Sequence, residues 1–262
     1  MSDLFTFHAG TCPLLVSVPH DGHRVPSEIW ERMTTEGKSL PDTDWHVARL
    51  YAFVREFGVN LLVADYSRYV VDLNRPPSDE ALYPGQVSTG VCPEQTFAGD
   101  DIYLSGGVPP GEAGRRVETY WLPYHAKIEE TLAEIRARHG FALLWDAHSI
   151  ASSVPRLFDG ELPELNIGTY DGRSCAPRIE AGICNVASDS AFSFVANGRF
   201  RGGYITRHYG DPANGIHAVQ LEIAQRAYMD EESTEFDAAK ASRLRDTLRR
   251  MLETYMERAK EG

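Results

Sequence analysis

Basic residues are scarce: 26 lysines and arginines stand against 38 aspartates and glutamates, a formal net charge of −12. There is no basic block, which argues against nucleic acid or an anionic membrane surface as a partner. An anionic small molecule remains compatible with this background if arginines cluster locally. No apolar run approaches the ~20 residues needed to span a bilayer. The first eight residues lack a basic region followed by a long apolar one, so no signal peptide is expected and a cytoplasmic location follows. Four cysteines (Cys12, Cys92, Cys175, Cys184) occur without C-x-x-C spacing, which excludes a zinc knuckle or a dense disulfide framework. Repeats and low-complexity tracts are also missing. What remains is an ordinary globular composition, 42% hydrophobic and 24% charged, enough for a sizeable core. With no convincing linker, residues 1–262 read as one domain, of unknown oligomeric state.

Short apolar runs bounded by turn residues predict buried strands at 13–19, 59–66, 68–73, 141–147, 165–170 and 217–223. Between them lie helical stripes. One runs from Trp45 to Phe57 and is stopped by Gly58. A second runs from Val117 to Ile135 and ends near Gly140, and a third from Leu244 to Met256. Strands alternating with helices predict an α/β fold with a mostly parallel sheet covered on both faces. Residues 74–113, rich in proline and glycine, read as a long functional loop, and 149–164 and 194–211 as further irregular stretches.

Two of the apolar runs stop on a histidine: Leu14 to Val18 then Pro19-His20, and Phe141 to Ala147 then His148. Ligands of open α/β sheets gather beyond the carboxyl ends of strands, so the two histidines suggest a shared metal site. A third ligand is needed, with a position left for water. Asp44 is the leading candidate. It also suits the N-cap of the helix that follows, and Asp42, His46, Glu28 and His23 are competing ligands. Arg68 and Arg75 bracket a short apolar run in an acidic chain, and with Asn74 they suit the capture of substrate carboxylates, although solvated surface arginines would look the same. Arg207, in a glycine-flanked stretch, is a further anion contact. Glu222 interrupts an apolar strand, its alternation placing Gln220 and Glu222 on one face and Val219, Leu221 and Ile223 on the other. A buried carboxylate is costly without a partner. Beside a metal it suits proton transfer; paired with Arg226 it would be merely structural. His125 reads as a core or supporting histidine, and His8 and His139 as surface residues.

The ordered set VPHDG (18–22), DTDW (42–45), SRYVVDLNRPP (67–77), WDAHS (145–149), GGYITRHYG (202–210) and HAVQLEIAQRAYMDE (217–231) resembles the N-formylglutamate amidohydrolase family over nearly the whole chain. The resemblance implies a phosphorylase/hydrolase-like three-layer α/β sandwich, shared with zinc carboxypeptidases and aspartoacylases. It implies one divalent metal, for which zinc is the best fit, on His20, Asp44 and His148. It further implies a carboxylate-binding Asn74-Arg75 pair, Glu222 as the catalytic glutamate, and hydrolysis of N-formyl-L-glutamate in histidine degradation. The carboxypeptidases' His-x-x-Glu ligand pair is not reproduced, because the third residue after His20 is His23. The alternatives are a metal-dependent hydrolase of another N-acyl amino acid or peptide, and a catalytically silent protein that binds an acidic metabolite.

Overall fold

The structure, a computed structural model, describes residues 4–80 and 89–261. Seven strands form one sheet in the order β1-β3-β2-β4-β7-β5-β6. They are β1 (Phe5–His8), β2 (Leu14–Val18), β3 (Asn60–Ala64), β4 (Ala142–Ile150), β5 (Leu165–Gly168), β6 (Phe194–Ala196) and β7 (Ile216–Ala224). The central pairs β3–β2, β2–β4 and β4–β7 are parallel, whereas β1 joins β3 and β5 joins β7 antiparallel. The mixed, mostly parallel α/β sheet of the sequence reading is therefore present.

The helices are α1 (Ser27–Trp30), α2 (Thr35–Ser39), α3 (Val47–Tyr51), α4 (Glu112–Arg116), α5 (Leu122–His139), α6 (Pro177–Ser188), α7 (Tyr204–Tyr209) and α8 (Ala238–Lys260). Alternation along the strands sorts side chains to two faces. Leu14, Val16, Leu143, Trp145, Val219 and Leu221 pack against α3, α6 and α8. Leu15, Ala142, Leu144 and Ala218 pack against α5 and α7 on the opposite side. This gives three layers. Among the described residues, no helix is long and apolar enough to cross a membrane.

Several expectations are corrected. The run 68–73 is not a strand. A turn at Val70 N–H to the Ser67 carbonyl (2.8 Å) breaks it, and Tyr69 and Val70 enter a separate apolar cluster with Ile29, Met33 and Ile102. Its residues are as buried as a strand's but pair with no strand among the described residues; Val71 and Leu73 pack against the sheet face that carries Leu15 and Leu62. The Trp45 stripe becomes α3 followed by a 3-10 turn (Ala52–Phe57), ending at Gly58 with φ 67°. The Val117 stripe begins as a π-helical segment (Val117–Trp121) that leads into α5. The irregular 194–211 stretch contains β6 and α7. Within the expected loop 74–113, residues 81–88 lie outside the described residues; the remainder is irregular up to α4.

A candidate metal centre

The β2–β4 neighbourhood is where the strand order reverses, the usual place for a ligand in an open sheet. His20 lies two residues beyond β2. His148 does not follow its strand as expected. Ladder pairing with β7 continues to Ile150, so His148 sits inside β4, on the same face as Asp146. Lower on that face Leu144 and Ala218 are covered by α5 and α7; higher up the side chains are Asp146, His148, Gln220 and Glu222. The polar residues are thus confined to the end of the sheet that carries His20.

Asp44 arrives from the loop before α3, where its N–H donates to the His20 carbonyl (3.1 Å). Its side chain does not cap α3. That helix receives an acceptor from Asp21 Oδ1, 3.3 Å from the Ala48 nitrogen, while Asp44 turns inward. Asp44 Oδ2 lies 3.0 Å from His148 Nδ1, 3.8 Å from His20 Nδ1 and 3.0 Å from the Ser149 nitrogen. Ligand atoms of His20, Asp44 and His148 fall within 4.8 Å of one another, and all three side chains are buried. Of the competitors, Asp42 instead accepts from the Tyr69 hydroxyl and the Phe97 N–H, and His46 Nε2 pairs with the Thr234 carbonyl.

The outer nitrogens decide what the inner ones offer. His20 Nε2 is 2.8 Å from Asp72 Oδ1, and His148 Nε2 is 3.0 Å from Asp146 Oδ2. A carboxylate only accepts, so each Nε2 carries a proton; His20 Nδ1 then presents a lone pair, whereas His148 Nδ1, itself 3.0 Å from Asp44 Oδ2, holds a second proton that a cation would replace. Two ring nitrogens and a carboxylate oxygen converge on one buried point. His20 Nδ1 has no hydrogen-bond partner there. Such a donor set asks for a cation, and two nitrogens with one oxygen fit a divalent metal.

Electrostatics agree. Burial lowers the His20 pKa, with Arg68 acting in the same direction, which keeps the ring neutral as a ligand must be. At His148 burial also opposes charge, but Asp146 and Asp44 outweigh it and hold the pKa well above the ordinary value. Positive charge is favoured at this point. Asp72 is held well below the usual carboxylate range, burial being overcome by His20 and Arg68. Glu222 is pushed up to about 8 by burial. Gln220 fixes it: Nε2 donates to Glu222 Oε2 (3.2 Å) while Oε1 accepts from the Gly203 N–H (2.6 Å). Arg226, the alternative partner for Glu222, donates to the Leu162 carbonyl.

A cavity opens beside this cluster, its walls including His20, His148, Glu222, Asn74 and Gly203. The glycine matters: a Cβ at 203 would overlap the Asn74 side-chain amide. Asn74 is held by Ile205 N–H to Oδ1 (2.8 Å), which directs Nδ2 toward Asp146 Oδ2 (3.1 Å). The long loop supplies Thr89 and Phe97 to the same cavity.

The sequence-predicted arginines separate. Arg68 is buried, with Nη2 2.8 Å from Asp72 Oδ2, Nη1 3.5 Å from Asp44 Oδ1 and its plane over Phe97. It neutralises the site's own acids. Arg75 lines the cavity, half-buried, donating to the Asn74 and Thr89 carbonyls. Arg207 is not among the lining residues: its Nε donates to the Gly202 carbonyl and its plane covers Tyr170. Arg199, which the sequence reading passed over, does line the cavity. Asp72 and Asp146 were also missed, although each lies two residues before a residue already singled out, Asn74 and His148. His125 is a core residue, bridging the Tyr209 hydroxyl and the Leu73 carbonyl (both 2.8 Å) beneath the Asn74 segment.

The profile of the N-formylglutamate amidohydrolase family matches residues 12–229. A protein described as N-formylglutamate deformylase from Pseudomonas putida is 48% identical over 88% of this chain and 87% of its own length. Another of that description from Pseudomonas aeruginosa is 47% identical, covering 98% of this chain and 97% of its own. The crystal structure of N-formylglutamate amidohydrolase from Ralstonia eutropha JMP134 superposes with a TM-score of 0.80 at 24% identity, over 97% of this chain and 96% of that one, and so shares the fold. With a family match across most of its length and two relatives near half identity, the chain belongs to the N-formylglutamate amidohydrolase family.

Proposed function

We propose that this protein hydrolyses N-formyl-L-glutamate to formate and L-glutamate, with His20, Asp44 and His148 holding one divalent metal and Glu222 transferring the proton. The observation that carries the reading is the convergence of two histidine nitrogens and an Asp44 oxygen next to a buried glutamate and an arginine-lined cavity. Zinc suits two nitrogens and one oxygen with an open fourth position. When bound, the metal would polarise the formyl oxygen and lower the pKa of a water toward ~7.

The chain's own residues supply the rest. Glu222, held as the carboxylate once a cation beside it offsets the burial that raises its pKa, takes a proton from the attacking water, whose oxygen bonds to the formyl carbon. As the C–N bond breaks, Glu222 returns that proton to the departing nitrogen, leaving formate and the free amine of glutamate. Gln220 keeps the Glu222 carboxylate aimed. Arg75 meets a substrate carboxylate next to Asn74, and a charged guanidinium there discriminates strongly, because an uncharged analogue leaves it without a counter-charge. Gly203, with no Cβ, lets the Asn74 amide lie close against the backbone there.

Formate release from N-formyl-L-glutamate, compared with hydrolysis of N-acetyl-L-glutamate and of a dipeptide ending in glutamate, tests the reading. Formate release that a chelator abolishes and a divalent metal restores is expected, with the other two substrates far slower. Preference for the dipeptide would make the protein a peptidase. Binding of N-formyl-L-glutamate without turnover would make it a silent binding protein.

A further inference from the structure

We infer that Arg199 is the specificity-determining residue that reads the side-chain carboxylate of the substrate, leaving the α-carboxylate to Arg75. This rests on the N-formylglutamate reading above and deepens it. That substrate carries two negative charges at different distances from the scissile amide. The α-carboxylate hangs on the carbon bonded to the amide nitrogen; the side-chain carboxylate lies beyond two methylenes.

Three arginines line the cavity, whereas Glu222 is the one carboxylate among its lining residues, an inversion of the chain's net charge of −12. Arg68 is matched by Asp72 and Asp44 within 3.5 Å, so a further carboxylate there would meet two carboxylates already in place. Arg75 follows Asn74, whose amide reaches His148 and Asp146, so it belongs to the metal end and suits the nearer charge. Arg199 comes from a different chain segment, between β6 and α7. Its Nε donates to the Leu157 carbonyl (3.0 Å), and Leu157 and Phe200 line the cavity with it. These two apolar side chains offer a surface for methylenes, and the guanidinium stands beside them to end the chain with a charge-assisted pair. A pocket with an apolar wall and one planar cation matches a side chain of two methylenes and a carboxylate.

The test uses the metal-loaded enzyme with N-formyl-L-glutamate and its neutral isostere N-formyl-L-glutamine, which keeps the α-carboxylate. Arg199→Gln should lower kcat/KM for N-formyl-L-glutamate about 10²–10³-fold while changing that for N-formyl-L-glutamine less than about 3-fold, so the preference collapses. Arg75→Gln should lower both substrates alike. Equal losses on both substrates in Arg199→Gln, or an unchanged preference, would overturn the assignment. Arg199→Lys guards against a variant that fails to fold: it keeps the charge but not the fork, so KM for N-formyl-L-glutamate should rise about 10-fold with the preference reduced. A lysine variant indistinguishable from wild type would also overturn it. Failure of the underlying reading is distinct, since it would appear as a wild-type protein that releases no formate from either substrate.

Discussion

Glu222 stands directly beside His148 across the parallel β4–β7 ladder, both on the face opposite Trp145 and Leu221. The sheet thereby fixes the proposed proton-transfer group next to a proposed metal ligand, with no flexible loop between them. Glu222→Gln keeps the volume and the contact with Gln220 but cannot take a proton. The kcat should fall ~10²–10⁴-fold, with metal content and substrate affinity near wild type. A near-normal kcat would move the proton role elsewhere, and lost metal would make Glu222 a ligand.

Asp72 serves two partners, His20 through Oδ1 and Arg68 through Oδ2, both at 2.8 Å. Asp72→Asn removes the charge that fixes the His20 tautomer. Metal affinity should weaken ~10–100-fold, measured by competition against a chelator. Stability should fall as well, because the buried Arg68 loses its closest counter-charge. Wild-type metal affinity with a lowered Tm would restrict Asp72 to the ion pair.

The two candidate ligand histidines were legible because each ends an apolar run, and Glu222 because it interrupts one, where period-2 alternation assigns it to a face without tertiary information. Asp44 was legible only as one of several neighbours. What selects it is the inward turn of a loop, set by the bond from its N–H to the His20 carbonyl. Arg199 carried no periodic signal because it lies in an irregular stretch, whereas Asp146, inside the expected strand 141–147 and two residues before His148, shared that histidine's face without being singled out. The run 68–73 misled because β-branched and aromatic residues buried without ladder pairing have the composition of a strand. β1 and β6, only four and three residues long, give alternation too little length to register.

Gly203 tests how tightly the cavity floor is built. A methyl group at this position overlaps the Asn74 amide, which is pinned by Ile205, Asp146 and His148 and so has nowhere to retreat. Gly203→Ala should cost about 1–3 kcal/mol in stability. It should also lower kcat/KM by shifting Asn74 and Arg75 together. An alanine variant with wild-type kinetics and Tm would mean that Asn74 rearranges freely.

His125 provides a pH-dependent prediction away from the metal. Burial depresses its pKa to about 3, with His208 adding to the effect, and its surroundings suit the neutral ring. Nε2 donates to the Leu73 carbonyl, and Nδ1 accepts from the Tyr209 hydroxyl. In the unfolded chain the same imidazole titrates near ~6.5. Between those values the unfolded state holds a proton that the folded state refuses, so stability falls as pH drops through this window, by up to about 1.4 kcal/mol per pH unit. Asp21, shifted up to about 6 by burial, works in the opposite sense, because its folded form binds the proton more tightly. The comparison is therefore wild type against His125→Gln, in which Asp21 and acid-driven metal loss are common to both. The Tm of wild type relative to the variant should be flat above about pH 7 and decline steadily below about 6.5. A difference that stays constant down to pH 4 would show that His125 charges in the folded state, and that the Leu73 and Tyr209 bonds do not hold it neutral.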